Sequence, residues 1–288
     1  AVAPRDEYVN HLKAAGLKCY NIYMNQKGTN PITDFFLFLQ YLRLFNKIKP
    51  NLILSYTIKP NIYGNFAANI LNIPTINNIS GLGTLFIKTN FISSIAKILY
   101  KLSLRSSNHI FFQNNNDLEL FIKSRLIKPY KCSVIPGSGV NTSIFKQNKK
   151  INKGNKFLFV GRLIGDKGVF EYLEAAKQVL LEYPNVNFFL AGELGYNNKT
   201  AITQTQLDNY TISNCKIKYL GKTDDMLSLL KIVDVMVLPS YREGLSKSLI
   251  EAASMSLPII TTDVPGCIDV VENDYNGLIC KVKSIKSL

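Results

Sequence analysis

The stretch Tyr241-Arg242-Glu243-Gly244-Leu245-Ser246-Lys247-Ser248-Leu249-Ile250-Glu251 stands between two short apolar runs, residues 233–238 and 259–262. The first run ends in Pro239-Ser240, and Pro258 precedes the second. Short apolar runs bounded by turn residues read as buried strands. The segment between them reads as a polar loop and then a helix, with Ser246 and Ser248 as cap residues near its start. Strand, loop, helix and strand form the unit from which parallel sheets are built. Gly244, without a side chain, lets backbone approach a ligand closely. The free N–H groups of the first helical turn favour an anion. At 1.5 Å per residue, Glu251 lies roughly 7 Å down the helix from Ser246. A ligand with phosphate at one end and a hydroxyl-bearing sugar at the other suits that spacing. Taken alone, Glu243 and Glu251 read first as ordinary surface charges, one near a helix start and one on a helix face. Glu251, however, is flanked by Leu249, Ile250, Ala252 and Ala253, where a carboxylate needs a partner.

The alternation extends through the chain. In the first half, strands are predicted at 18–24, 51–56, 75–79, 109–113 and 132–135. Helices are predicted at 5–16, from Asn30-Pro31 to the stop at Pro50, at 64–71, at 91–104 and at 117–125. In the second half, strands are expected at 157–160, 186–191, 217–220, 233–238 and 259–262. Helices there run from Gly168 to Tyr183, over 224–232 and over 268–272. The polar run 147–156 reads as a linker. The fold class is therefore α/β: two facing Rossmann-like doubly wound domains, 1–146 and 157–288, joined by 147–156. Such domains bind ligands at the carboxyl ends of their strands, so two of them facing each other make a cleft.

The bulk numbers narrow the function. The 288 residues, 47% of them hydrophobic, suffice for two cores. No run of 18 apolar residues and no signal-peptide pattern occurs. The five cysteines, at 19, 132, 215, 267 and 280, are scattered and form no C-x-x-C pair, which suits a reducing cytosol. Only His11 and His109 are present; His109 lies in an apolar strand and reads as structural. No metal-ligating cluster is visible. Asp224-Asp225 reads as a helix cap. Residues 1–150 hold 19 Lys and Arg against 5 Asp and Glu, whereas residues 151–288 hold 15 of each. All of the +14 net charge thus lies in the first half and suggests an anionic partner for it. Around 91–104, Phe86, Phe91, Ile92, Ile95, Ile98, Leu99 and Leu102 interleave with Lys88, Lys97, Lys101 and Arg105. That is the pattern of a basic amphipathic helix lying on an anionic bilayer, although a helix packed on a sheet shares it. No nucleic-acid-binding motif is present.

Arg162 follows the strand at 157–160, and Lys167-Gly168 opens the next helix. Two cations beside a helix start make a diphosphate site and stabilise a leaving diphosphate. The segment is neither a Walker A loop nor a G-x-G-x-x-G fingerprint.

Three motifs in order, Val160-Gly161-Arg162-Leu163 through Gly168, Pro239-Ser240 through Glu243-Gly244 to Glu251-Ala252, and Pro258-Ile259-Ile260 to Val264-Pro265-Gly266, resemble the family 4 retaining glycosyltransferases of the GT-B fold. In the first half, Thr57-Ile58-Lys59-Pro60-Asn61-Ile62-Tyr63-Gly64, Ser80-Gly81-Leu82-Gly83 and Pro136-Gly137-Ser138-Gly139-Val140 resemble a bacterial subgroup. That subgroup adds sugars, often N-acetylhexosamines, to polyprenyl-diphosphate-linked acceptors. The resemblance implies that Arg162 and Lys167 hold the donor diphosphate and that Glu251 binds the ribose hydroxyls. It implies that Glu243 contacts the donor sugar and that Gly244, Leu245 and Ser246 meet phosphate or sugar through their backbone. The catalytic set so implied is Glu243, Arg162 and Lys167, with no metal and no cofactor beyond the nucleotide-sugar, expected to be a UDP-sugar. The implied partners are that donor, a polyprenyl-diphosphate-linked glycan and an anionic membrane, with the protein cytoplasmic and peripheral on the inner face. Gly244-Leu245-Ser246 departs from the commoner Gly-Phe-Gly of the family and leaves the donor sugar open. The family's first strand and its final crossing helices are expected before Ala1 and after Leu288. A non-catalytic nucleotide-sugar-binding subunit and a sugar-nucleotide epimerase of similar fold are the alternatives.

Overall fold

The computed structural model describes residues 1–25, 30–82, 91–147, 154–195, 198 and 200–288, with Phe91 and Ile92 placed by backbone alone. The chain divides into two units, Ala1–Ile135 and Pro136–Leu288. Residues 136–146 thus fall in the second unit rather than at the end of the first. Phe145 packs on the second unit's core, and its carbonyl accepts a hydrogen bond from the Ser254 hydroxyl. Of the expected linker, residues 148–153 lie outside the described residues, as do Gly83, Phe86 and Lys88.

In the first unit, β1 (Val2–Ala3), α1 (Val9–Ala14) and β2 (Tyr20–Asn21) form a short crossover with a two-stranded parallel pair. The strand expected over 18–24 shrinks to two residues because only the equally short β1 pairs with it. Next comes α2 (Pro31–Ile48). Asn30 caps it by accepting from the Ile32 N–H at 2.9 Å, and it stops at Lys49 in the left-handed region, before Pro50. The strands β3 (Ile53–Tyr56), β4 (Thr75–Ile79), β5 (His109–Phe112) and β6 (Cys132–Val134) form a parallel sheet in that order. The helices α3 (Asn65–Ile70), α4 (Phe91–Leu104) and α5 (Asn115–Lys123) connect them. Asn114 caps α5 through the Asp117 N–H, and His109 meets the Ser133 hydroxyl at 2.8 Å, a structural role. The expected helix at 64–71 is preceded by a π-helical turn, Pro60–Gly64. Thr57, at φ +66°, holds a conformation that β-branched residues rarely adopt.

The interior of this unit is partly polar. Asn61, Asn65, Asn77 and Ser107 are fully buried. Asn77 donates to the Asn61 side chain at 3.0 Å and accepts from Ser107 at 2.7 Å, while Asn65 donates to Ser107 at 2.8 Å. Apolar clusters lie separately, one around Tyr100, Phe112 and Phe121 and the other around Leu37, Tyr41 and Phe45. A hollow of about 720 Å³, lined in part by Val2, Tyr41, Phe45 and Ser55, lies beside β1 and β3.

In the second unit, β7 (Lys156–Val160), α6 (Val169–Glu182), β8 (Asn187–Ala191), α7 (Gln204–Thr211) and β9 (Ile217–Tyr219) lead to α8 (Met226–Ile232). Then follow β10 (Val235–Leu238), α9 (Lys247–Ser254), β11 (Ile259–Thr262) and β12 (Gly277–Cys280). All six strands are parallel, in the order β12-β11-β10-β7-β8-β9. Their apolar faces share one cluster that includes Leu158, Phe159, Leu173, Leu190, Met236 and Leu249. Two elements were not predicted. α7 carries one buried residue, Leu207, so it has no apolar period to detect; its signal is the Thr203/Gln206 capping box. β12 is four residues behind an Asn-Gly turn. The expected helix at 268–272 is absent: Val270 and Val271 N–H groups both turn back to the Cys267 carbonyl, and no helix develops.

Candidate functional site

The sheet order of the second unit reverses between β7 and β10. At such a reversal, adjacent loops leave toward opposite faces and open a crevice at the strands' carboxyl ends. The loops in question are 161–168 and 239–246, which carry most of the residues singled out in the sequence.

Backbone contacts lock the two loops together. The Tyr241 N–H donates to the Asp166 carbonyl at 2.9 Å, and the Ser240 hydroxyl donates to the same carbonyl at 3.2 Å. Gly168 has φ +74°, and a Cβ there would stand 2.1 Å from the Pro239 carbonyl oxygen. Only glycine fits, for both reasons. A third loop closes the site from β11. The Glu243 N–H donates to the Pro265 carbonyl at 3.2 Å and the Ser246 N–H to the Gly266 carbonyl at 3.3 Å. Gly266, at φ +78°, passes so close that a Cβ would sit 2.6 Å from the Gly244 carbonyl oxygen and 2.7 Å from the Glu243 Cβ. The Gly266 N–H is held by the Asp269 carboxylate at 2.8 Å.

This framework brings Lys167 and Glu243 into direct contact: the ammonium pairs with a Glu243 carboxylate oxygen, with both side chains largely buried. The cation expected to hold a diphosphate is therefore matched by the carboxylate expected to touch the sugar. Arg162 is exposed on the loop that carries Lys167. Glu251 lies on α9, 6% exposed, with the Lys247 ammonium 3.5 Å from its carboxylate. Burial raises its pKa above the ordinary carboxylate range, against the opposing pull of Lys247. Lys247 is exposed, so the desolvated acid faces a counter-ion that is itself largely in water.

Ser246 occupies the N-cap position of α9, as predicted, but its hydroxyl does not cap the helix; it lies 3.2 Å from the Ser248 hydroxyl instead. Asp225 caps α8 through the Ser228 N–H at 3.0 Å, and hydrogen bonding from the Ser228 hydroxyl and then from that N–H lowers its pKa. Cys267, buried next to the pair, has its thiol pushed up to about 12, chiefly by burial, and is no nucleophile at neutral pH. Sequence reasoning missed the supporting contacts of Tyr241, Asp166 and Gly266. Tyr241 donates its hydroxyl to Glu171 on α6, and Lys283 sits over its ring at 4.9 Å. Of these, only Gly266 carried a signal, the Val264-Pro265-Gly266 turn.

Two parallel α/β units, the second with a reversal of strand order at its centre, are the architecture of the GT-B fold. The family model described as glycosyl transferases group 1 matches residues 140–288, and the glycosyl transferase 4-like model matches residues 2–114. The chain belongs to the group 1 glycosyl transferases and is an enzyme of that class. It is 29% identical over 305 residues to the N,N'-diacetylbacillosaminyl-diphospho-undecaprenol alpha-1,3-N-acetylgalactosaminyltransferase of Campylobacter jejuni, covering 100% of this chain and 78% of that protein. It is 28% identical over 278 residues to the UDP-Gal:alpha-D-GlcNAc-diphosphoundecaprenol alpha-1,3-galactosyltransferase of Escherichia coli, covering 89% and 69%. Among solved structures, Anabaena HepE in complex with UDP-glucose superposes with a TM-score of 0.79 at 16% identity, over 98% of this chain and 77% of that one. At that identity the likeness concerns the fold.

Proposed function

We propose that this protein transfers a hexose or N-acetylhexosamine from a nucleotide-diphosphate sugar, a UDP-sugar, to a lipid-linked glycan, with retention of the anomeric configuration. The observation that carries the reading is the Lys167–Glu243 pair at the switch point, with the desolvated Glu251 on the helix that follows. A diphosphate carries more charge than one carboxylate, so on donor binding Lys167 moves from Glu243 to the β-phosphate. Arg162, exposed on the same loop, joins it. Glu243 is then free to accept from a sugar hydroxyl. The backbone of Gly244, Leu245 and Ser246 and the first N–H groups of α9 face the departing diphosphate, where positive potential lowers the barrier to its release. Glu251 accepts from the ribose hydroxyls, which supply the partner its burial calls for. No metal ion is assigned a role; turnover unchanged by a chelator is expected. Support for a lipid-linked acceptor comes from the two relatives above, whose names specify diphospho-undecaprenol acceptors.

The acceptor places the reaction at a bilayer. Among the described residues no helix is long and apolar enough to cross a membrane. Peripheral attachment at the inner face of the cell membrane is the corresponding reading, through the basic first unit. On α4, Ile95, Ile98 and Leu102 are 41%, 58% and 56% exposed, beside Lys97 and Lys101.

The decisive experiment measures transfer from UDP-sugars in Lys167→Ala and Glu251→Ala. A fall of at least about a hundredfold is expected for each, the scale of losing one charge-stabilising group. Turnover unchanged in both would remove the site assignment.

A further inference from the structure

Tyr241 grips the Lys167 segment from both sides. Its N–H donates to the carbonyl of Asp166, the residue before Lys167, at 2.9 Å. Its hydroxyl donates to a carboxylate oxygen of Glu171, beyond Lys167 on the first turn of α6. Two positions further along the loop from Tyr241, Glu243 pairs with Lys167 itself. These contacts close a ring. It runs from Lys167 back to Asp166, across to Tyr241, forward to Glu243 and across to Lys167 again. Glu171 buttresses the ring from outside.

The Glu171 contact is not what seats the helix. The buried side chains of Val169, Tyr172, Leu173 and Ala176 already hold α6 in the core. Glu171 is a poor stabiliser in its own right. Its Oε2 is buried without a hydrogen-bond partner, and a half-satisfied carboxylate costs free energy even at a helix start. A cost of that kind beside a reaction centre marks a group kept for geometry.

The ring shows which geometry. On the donor-binding reading above, the diphosphate draws Lys167 away from Glu243 and opens the ring at its ion pair. Glu243 then keeps its N–H bond to the Pro265 carbonyl at 3.2 Å and its chain connection to Tyr241. We propose that Tyr241 and Glu171 are positioning residues for Glu243. Their hydroxyl–carboxylate bond holds the loop in register on α6 while Lys167 is engaged with phosphate. Glu243 therefore meets the sugar instead of following its former counter-ion. Neither Tyr241 nor Glu171 is assigned a contact with the donor. The inference rests on that donor-binding reading and adds to it the brace that keeps the site assembled.

The test uses the whole chain, UDP, and residue-resolved hydrogen exchange at the Glu243 and Ser246 amides, which bond to the Pro265 and Gly266 carbonyls. In the wild type both amides should stay protected when UDP binds. In Tyr241→Phe they should match the wild type without UDP, because the ion pair still closes the ring. With UDP they should exchange at least about tenfold faster, the scale of one hydrogen bond to a charged group. Glu171→Ala should behave alike. Glu171→Gln, whose amide oxygen still accepts from the tyrosine, should restore most of the protection. The Tyr241→Phe, Glu171→Ala double variant should lose no more than either single change. UDP affinity should stay within about twofold of wild type throughout, since Arg162, Lys167 and Glu251 are untouched. Protection lost equally with and without UDP would make the bond a structural prop and overturn the proposal. Wild-type protection in the UDP complex of Tyr241→Phe would overturn it too, and leave the donor-binding reading standing. Wild-type protein that binds no UDP would overturn the donor-binding reading and this inference with it.

Discussion

The two units solve the same architectural problem with different interiors. The second holds six strands in one continuous sheet, and its buried side chains form a single apolar cluster. The first holds a two-stranded pair and a four-stranded sheet, with two apolar clusters and a buried Asn-Ser network. Apolar packing is tolerant of local adjustment, whereas a buried polar network depends on directional pairs, and in this one the Asn65 Oδ1 is buried without a hydrogen-bond partner. The second unit is therefore suited to holding a fixed site at its switch point. The first depends on specific geometry at Asn61, Asn65 and Asn77, next to the strained Thr57 and the π-helical turn. It also carries the exposed apolar surface of α4, while the second unit carries the desolvated acid.

The sharpest test of this contrast is a cavity in the second core. Leu158→Ala removes a fully buried side chain from the central strand β7 and should cost about 3–5 kcal/mol. In chemical denaturation followed by residue-resolved hydrogen exchange, protection should fall in β7, β8 and β10 and persist in β3–β6. Equal loss in both units would show that they share one cooperative interior.

A smaller effect is expected in the first unit from Asn77→Leu, which nearly conserves volume. It leaves Ser107 and Asn61 without a shared partner and should cost about 2–3 kcal/mol, confined to the first unit. A neutral outcome would mean that the polar ladder contributes nothing that apolar packing does not replace.

The smallest effect concerns Glu251. Its folded pKa is raised above that of the unfolded chain, so its contribution to stability is favourable below the unfolded value and is lost as pH rises through the folded one. Glu251→Gln should therefore raise Tm at pH 7, with the difference from wild type shrinking toward pH 4, while donor turnover collapses. A Tm lower than wild type at pH 7 would show that Lys247 more than offsets the burial.

Much of this molecule can be read from residue patterns. Helices starting at Asn30-Pro31 and Phe91 appear where cap, proline and apolar period place them, and β4 and β11 match their predicted bounds. α7 escaped because one buried leucine makes no period, and the buried Asn61, Asn65 and Asn77 escaped because Asn, whether at a helix start or in a short strand, reads as a surface or turn residue. Among the candidate site residues, Arg162, Lys167 and Glu243 stand beside glycines in the sequence and Glu251 stands in an apolar helix, and those settings are what singled them out.

The amino-acid order alone determined the parallel α/β architecture and the identity of the charged groups, because strand and helix periodicity and glycine placement are local properties. Which of those charges meet was decided by the fold. The reversal of strand order between β7 and β10 sets side by side two loops separated by more than 70 positions in the chain. Lys167 and Glu243 pair there, and Glu251 loses its water, because close packing at a switch point excludes solvent that neither loop could exclude by itself.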